Sequence, residues 1–361
     1  MLLRDLNNRR FFTVAALSVC LSAPVAQAQR KPLKDKALAP ASQFDLSHWN
    51  ITLPLDQNND GKVDTVRVKD MPKYSHPDFF YLDADGHMVF VAPNKGAKTK
   101  NTTNTRSELR HMLRGTKTKY KTHSGPNNFA IRARKDSDKF GRIGGRLEAT
   151  LKVDHVALNA GRPDTKAAYS AVVGQIHAVK YDSTKSGFGY GNEPLKIYYK
   201  KFLGHEKGSV FWNYERNLAK DDPNRKDISY PVWGHTWENQ ADPGDAGISL
   251  GEEFSYVVNV HENTMHLTFT SPGHPTVTYS KSLASQVDAN GKIDPLDNRF
   301  SYGGDSLYFK AGLYNQCSTN KKGGTWYAGC GGTGDWDTDK ANGDYAQATF
   351  SRLVTGESVA P

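Results

Sequence analysis

Tyr308-Phe309-Lys310-Ala311-Gly312-Leu313-Tyr314-Asn315-Gln316 reads as an extended strand with two unlike faces. A period of two sends Tyr308, Lys310, Gly312, Tyr314 and Gln316 to one side and Phe309, Ala311 and Leu313 to the other. The second face is apolar and suited to a core. The first is polar, with a glycine expected to let a ligand approach the backbone and tyrosines that offer phenols and flat rings. A half-buried strand with ordinary solvated residues outward would alternate in the same way, so periodicity leaves both readings open.

Outward from this strand, short runs rich in Val, Ile, Tyr and Phe recur between clusters of Gly, Asn, Asp and Pro. Strands are predicted at Met88 to Ala92, Arg106 to Arg114, Gly145 to Val153, Ser170 to Ala178, Leu195 to Lys200 and Val210 to Glu215. Further ones are predicted at Phe254 to Val260, Met265 to Thr270, Thr276 to Tyr279, Ser306 to Gln316 and Tyr345 to Leu353. Helical periodicity is scarce, so the chain is predicted to be all-β, a sandwich or jelly roll. Two long polar stretches, Lys180 to Glu193 and Arg216 to Glu252, read as functional loops in a single domain spanning residues 42–356.

Two more strands carry side chains with chemistry. Arg106, Glu108 and Arg110 share a face of Arg106-Ser107-Glu108-Leu109-Arg110, either as a solvated ladder or as guanidiniums that clamp carboxylates. Gln175 and His177 share a face of Gln175-Ile176-His177, while Ile176 turns to the core. An amide beside an imidazole can polarise a carboxylate and take the proton next to it.

The ends of the chain bear on its compartment. Arg4, Arg9 and Arg10 precede an apolar run from Phe11 to Val25 that ends at Ala26-Gln27-Ala28, the pattern of a cleavable export signal over residues 1–28. A basic linker, residues 29–41, follows. Secretion or a periplasmic location is expected, with no membrane anchor and a monomeric chain. Outside the cytoplasm Cys317 and Cys330 are expected to form a disulfide worth about 3 kcal/mol. The formal charge of +9 falls to about +7 without the signal, which favours a polyanionic partner. Nucleic acid is disfavoured, since no basic helix, finger spacing or RNP-type strand is present.

Metal sites find little support. Asp56 to Asp64 copies the first nine positions of a calcium loop, but Arg67 stands where a bidentate Glu is required, so a turn is expected there and calcium near Asp56 is disfavoured. His261 and His266, five apart on strand-like sequence, are expected on opposite faces.

Together, Arg106-Ser107-Glu108-Leu109-Arg110, Gln175-Ile176-His177 and Tyr308 through Gln316 resemble, in order, the three signature strands of polysaccharide lyase family 7, the alginate lyases. Phe44-Asp45-Leu46-Ser47-His48-Trp49-Asn50-Ile51-Thr52-Leu53-Pro54 resembles the start of that domain. The resemblance implies a β-jelly roll of lectin-like form whose concave sheet binds alginate without metal or organic cofactor. It implies Arg106, Gln175, His177 and Tyr308 as catalytic residues, with Glu108, Arg110, Lys310, Tyr314 and Gln316 lining the substrate. It also associates Ile176 with acceptance of guluronate-containing blocks. A binding module or lectin would need no base beside an amide. A glycoside hydrolase would need two carboxylates, whereas the proposed faces carry only Glu108, flanked by two arginines.

Overall fold

The structure, a computed structural model, describes residues 38–181 and 187–361. The predicted leader, most of the linker and residues 182–186 lie outside the described residues. Among the described residues, no helix is long and apolar enough to cross a membrane.

The strands are β1 (Trp49–Thr52), β2 (Thr65–Val66), β3 (Phe80–Leu82), β4 (Met88–Pro93), β5 (Arg106–His111), β6 (Phe129–Ala130), β7 (Arg142–Ile143), β8 (Gly145–His155) and β9 (Ser170–Ala178). They continue as β10 (Leu195–Lys200), β11 (Ser209–Glu215), β12 (Asp227–Trp233), β13 (Glu253–His261), β14 (Thr264–Thr270), β15 (Val277–Ser282), β16 (Leu307–Asn315) and β17 (Tyr345–Gly356). One sheet runs β12-β11-β10-β9-β16-β5-β1-β2, with β6 and β7 attached beside β16; the other runs β15-β14-β13-β8-β17-β4-β3. All pairings are antiparallel except β6 with β7. This is the expected jelly roll.

The inner faces meet in one apolar core. β8 alternates buried and half-buried residues along almost its whole length, which is the signature of a sheet with one dry face. Phe90 lies between Phe80 and Phe350, with ring centroids 5.3 and 5.2 Å away. Ile176, Leu109, Phe309, Ala311 and Leu313 join this core from the larger sheet, which turns their alternate neighbours to its outer face. Cys317 and Cys330 are bonded and close the loop that leaves β16.

Several expectations give way. The stretch from Arg216 to Glu252 contains a strand, β12, whose Tyr230 stacks on Trp212 at 4.4 Å. Its polar flanks and Pro231 hid it, yet proline is tolerated because β12 is the sheet's edge. The strand that starts at Arg106 ends at His111, short of Arg114. His261 and His266 lie on adjacent strands joined by a tight turn, with Val260 and Met265 buried, so both histidines face outward on the same side. The Asp56 segment is a turn, as expected: the Asp56 carboxylate accepts from the Asp60 and Gly61 backbone N–H groups at 3.0 and 2.9 Å.

Gly312 is a different case. Its φ is +122° at an irregularity in the β16–β9 register. A Cβ there would sit 2.8 Å from the Ser107 carbonyl oxygen and 3.0 Å from the Phe90 ring. The missing side chain therefore makes room on the core side and does not thin the polar face. Gly312→Ala is expected to destabilise the protein by about 2 kcal/mol, from strain and overpacking. Urea unfolding measures this, and an unchanged midpoint would mean that the irregularity relaxes at no cost.

Candidate active site

Strands β5, β16 and β9 lie side by side, and their register gathers the predicted residues. Tyr308 is opposite His177, Lys310 is opposite both Gln175 and Arg110, and Tyr314 is opposite Arg106. Arg106, Gln175, His177 and Tyr308 thus occupy one patch of the outer face, although they are up to 202 positions apart in the chain.

Glu108 is the centre of this patch. It is 3 % exposed, and its carboxylate accepts from Lys310, from Gln175 and, at 2.9 Å, from Arg106. Burial alone would raise the carboxyl, but Lys310 and Arg106 more than offset this and hold it below the usual range. Burial and the neighbouring Arg106 pull the Lys310 ammonium down to about 8, against the opposing pull of Glu108. Glu108, expected to line the substrate, is instead spent on bracing the three side chains around it.

The two arginines differ. Arg106 stacks over Tyr314 at 3.9 Å, and its Nε has no hydrogen-bond partner, so its guanidinium keeps an unspent donor. Arg110 donates to the His111 and Thr122 carbonyls and to Asn128 Oδ1, and it lies flat over the Tyr308 ring at 3.8 Å. Its expected role as a carboxylate clamp is weakened, because most of its donors are committed and its face steadies Tyr308. Burial raises the Tyr308 phenol above its ordinary value, opposed by Arg110, so the group holds its proton at neutral pH. Tyr314 shares a hydrogen bond of 2.6 Å with Thr102, and Gln316 is buried beyond the end of β16, donating to the Tyr314 carbonyl, so it does not reach the patch as expected.

His177 stacks nearly parallel to Tyr308, 11° and 5.2 Å apart. Its Nδ1 is 2.6 Å from the Ala178 carbonyl oxygen, and its Nε2 is 3.1 Å from Glu193 Oε1. Glu193 escaped the sequence reading because it ends a polar stretch with no periodicity. Pro194 holds it extended at the entry to β10. Its other oxygen is 3.5 Å from Lys196 Nζ, its backbone N–H donates to Glu215, and Glu215 pairs with Arg225 at 2.6 Å. Burial works against the Glu193 anion, but Lys196 and His177 outweigh it and hold the carboxyl well below the usual range; burial, opposed by Lys196, pushes Glu215 well above it. His123 was also missed. Its partial burial, then the charges on Arg110 and His177, hold it below the ordinary imidazole value.

Beyond β9 the outer face is covered. Tyr198 and Phe211 stack on each other, and Trp237, from the second long polar stretch, packs edge-on against both at 4.5 and 4.6 Å. Trp237 is 5 % exposed, and the patch with Val172 is separate from the main core.

Comparisons with known proteins show the family of this chain. The alginate lyase family matches residues 44–357. A curated alginate lyase from Klebsiella pneumoniae is 35 % identical over 330 residues, 89 % of this chain and 92 % of that protein. A crystal structure of the alginate lyase from that organism covers 89 % of this chain and 99 % of its own at a TM-score of 0.68. An exolytic family 7 alginate lyase from Zobellia galactanivorans is 34 % identical, with a TM-score of 0.69 over 89 % of this chain and 99 % of its own. With three signature strands on one face, a family match across both sheets and relatives of this similarity, the chain belongs to the alginate lyases of polysaccharide lyase family 7 and is a polysaccharide lyase.

Proposed function

We propose that the enzyme cuts alginate by β-elimination, from a chain end, and favours guluronate-containing blocks. The observation that carries the mechanism is the patch of Arg106, Gln175, His177 and Tyr308 around the buried Glu108. A uronate carboxylate bound by the Arg106 guanidinium, with the second amide N–H of Gln175, loses electron density and its C5 proton becomes acidic. In a guluronate unit His177 takes that proton, the C5–H electrons form the C4=C5 double bond, the C4–O4 bond breaks, and Tyr308 gives its proton to O4. In a mannuronate unit proton and leaving group lie on the same side, and Tyr308 serves both steps. The route uses side chains alone and calls for no cofactor. The leader-like residues 1–28 support action outside the cytoplasm.

Chain-end attack is supported by the cover over the β10–β11 side. Trp237 packs over Tyr198 and Phe211 on this side of the outer face, and the Zobellia galactanivorans relative is named as exolytic. The guluronate preference rests on the family resemblance at Ile176, which is fully buried and acts through packing on its neighbours Gln175 and His177.

Mixed with alginate, the protein is expected to raise absorbance near 235 nm as the unsaturated uronate forms, and Tyr308→Phe to lose at least ~100-fold in rate. A flat trace with retained alginate binding would instead indicate a binding module. In a product-size time course the smallest products should appear from the start, and an early ladder of mixed oligomers would defeat chain-end attack. Initial rates on guluronate-rich blocks should exceed those on mannuronate-rich blocks; the reverse order would overturn the block preference.

A further inference from the structure

We infer that Glu193 is a positioning residue for guluronate cleavage, holding the His177 ring and stabilising it once Nε2 has gained a proton. This rests on the reading of His177 as the base for guluronate units. A neutral imidazole has one N–H and one lone pair. Nδ1 sits 2.6 Å from the Ala178 carbonyl oxygen, which can only accept, so Nδ1 is the donor and Nε2 carries the lone pair. The Glu193 carboxylate lies 3.1 Å from Nε2 and can only accept when ionised. The site is therefore built for the protonated ring, the form that exists after C5 has given up its proton, when both N–H groups find acceptors.

The support behind Glu193 has the same sense. Lys196 lies 3.5 Å from its second oxygen and is itself 3.3 Å from Asp227, while Glu215 donates its backbone N–H to the Glu193 carbonyl and accepts the Glu193 N–H on its carboxylate. A side chain that merely filled space would not need this bracing. The charged and titratable groups beside His177 are Glu193 before β10, Tyr308 on β16 and His123 in the loop after β5; Lys196 and Glu215 stand behind Glu193, and Arg110 lies over Tyr308. Among these, Glu193 is the carboxylate beside Nε2, at 3.1 Å.

The test compares Glu193→Gln and Glu193→Asp with the parent chain, after thermal melting has verified folding. On guluronate-rich blocks Glu193→Gln should lower kcat at least tenfold with KM within twofold, and the acidic limb of its kcat profile should move to lower pH. On mannuronate-rich blocks the loss should stay below threefold. Glu193→Asp, which keeps the carboxylate, should recover part of the rate. Equal losses on both blocks, or an acidic limb that does not move, would overturn the inference. Should Glu193→Gln fail to fold, Glu193→Asp decides, since the same split at smaller size is expected and parent-like kinetics on both blocks would refute it. A parent that cleaves alginate beside a variant that matches it defeats only this inference, whereas a parent that gives no absorbance rise defeats the functional reading itself.

Discussion

A carboxylate with three donors sits at the centre of the candidate site, and the neighbouring side chains depend on it. Glu108 stands on β5, Lys310 on β16 and Gln175 on β9, so the cluster is a polar rivet through three neighbouring strands, with Arg106 as a fourth member. Removing one partner of such a buried ion pair typically costs about 3–5 kcal/mol, because the remaining charge is stranded away from water. The same feature makes the group rigid. Arg106 and Gln175 are each fixed by one bond to Glu108, which holds both side chains in place on the same face.

The strands around that rivet were largely legible because a period of two is a strong constraint. Each predicted run coincides with a strand to within a few residues, and facing was right for Phe309, Ala311, Leu313 and Ile176, since one face had to be dry. Facing gave the shared side within each strand, whereas the sharing of one surface by Arg106, Gln175, His177 and Tyr308 followed from the family resemblance and is set by the register of β5, β16 and β9. Alternation cannot report what a side chain touches once it is there. The alternation does not show that Glu108 is held by three neighbouring side chains, or that Arg110 donates to nearby carbonyls and lies over Tyr308. Gly312 looked like a gap in the polar face because the register irregularity that turns its missing side chain toward Phe90 leaves no mark in the sequence.

The two polar stretches hid the most. The second contains the edge strand β12, yet its polar flanks carry no clear period, and each stretch delivers one side chain to the outer face at a place set by the tertiary fold. Trp237 covers Tyr198 and Phe211, and Glu193 meets His177. Neither side chain is unusual for its type in a polar loop. Their positions depend on long-range contacts: Asp305, just before β16, accepts from the Gly189 N–H and from Asn217, tying the first stretch to the start of the second.

This division of labour has a physical basis. The strands of the larger sheet carry groups whose geometry must be shared with the core, and a one-residue slip would send all of them to the wrong side. The loops carry groups that adjust that geometry without being part of it. A half-buried anion such as Glu193 is tolerable in a loop only if counter-charges are already fixed by the sheet, and Lys196 on β10, held in turn by Asp227 on β12, supplies this. The sheet therefore determines where a loop can place a charge, and the loop determines which state of a sheet histidine that charge favours.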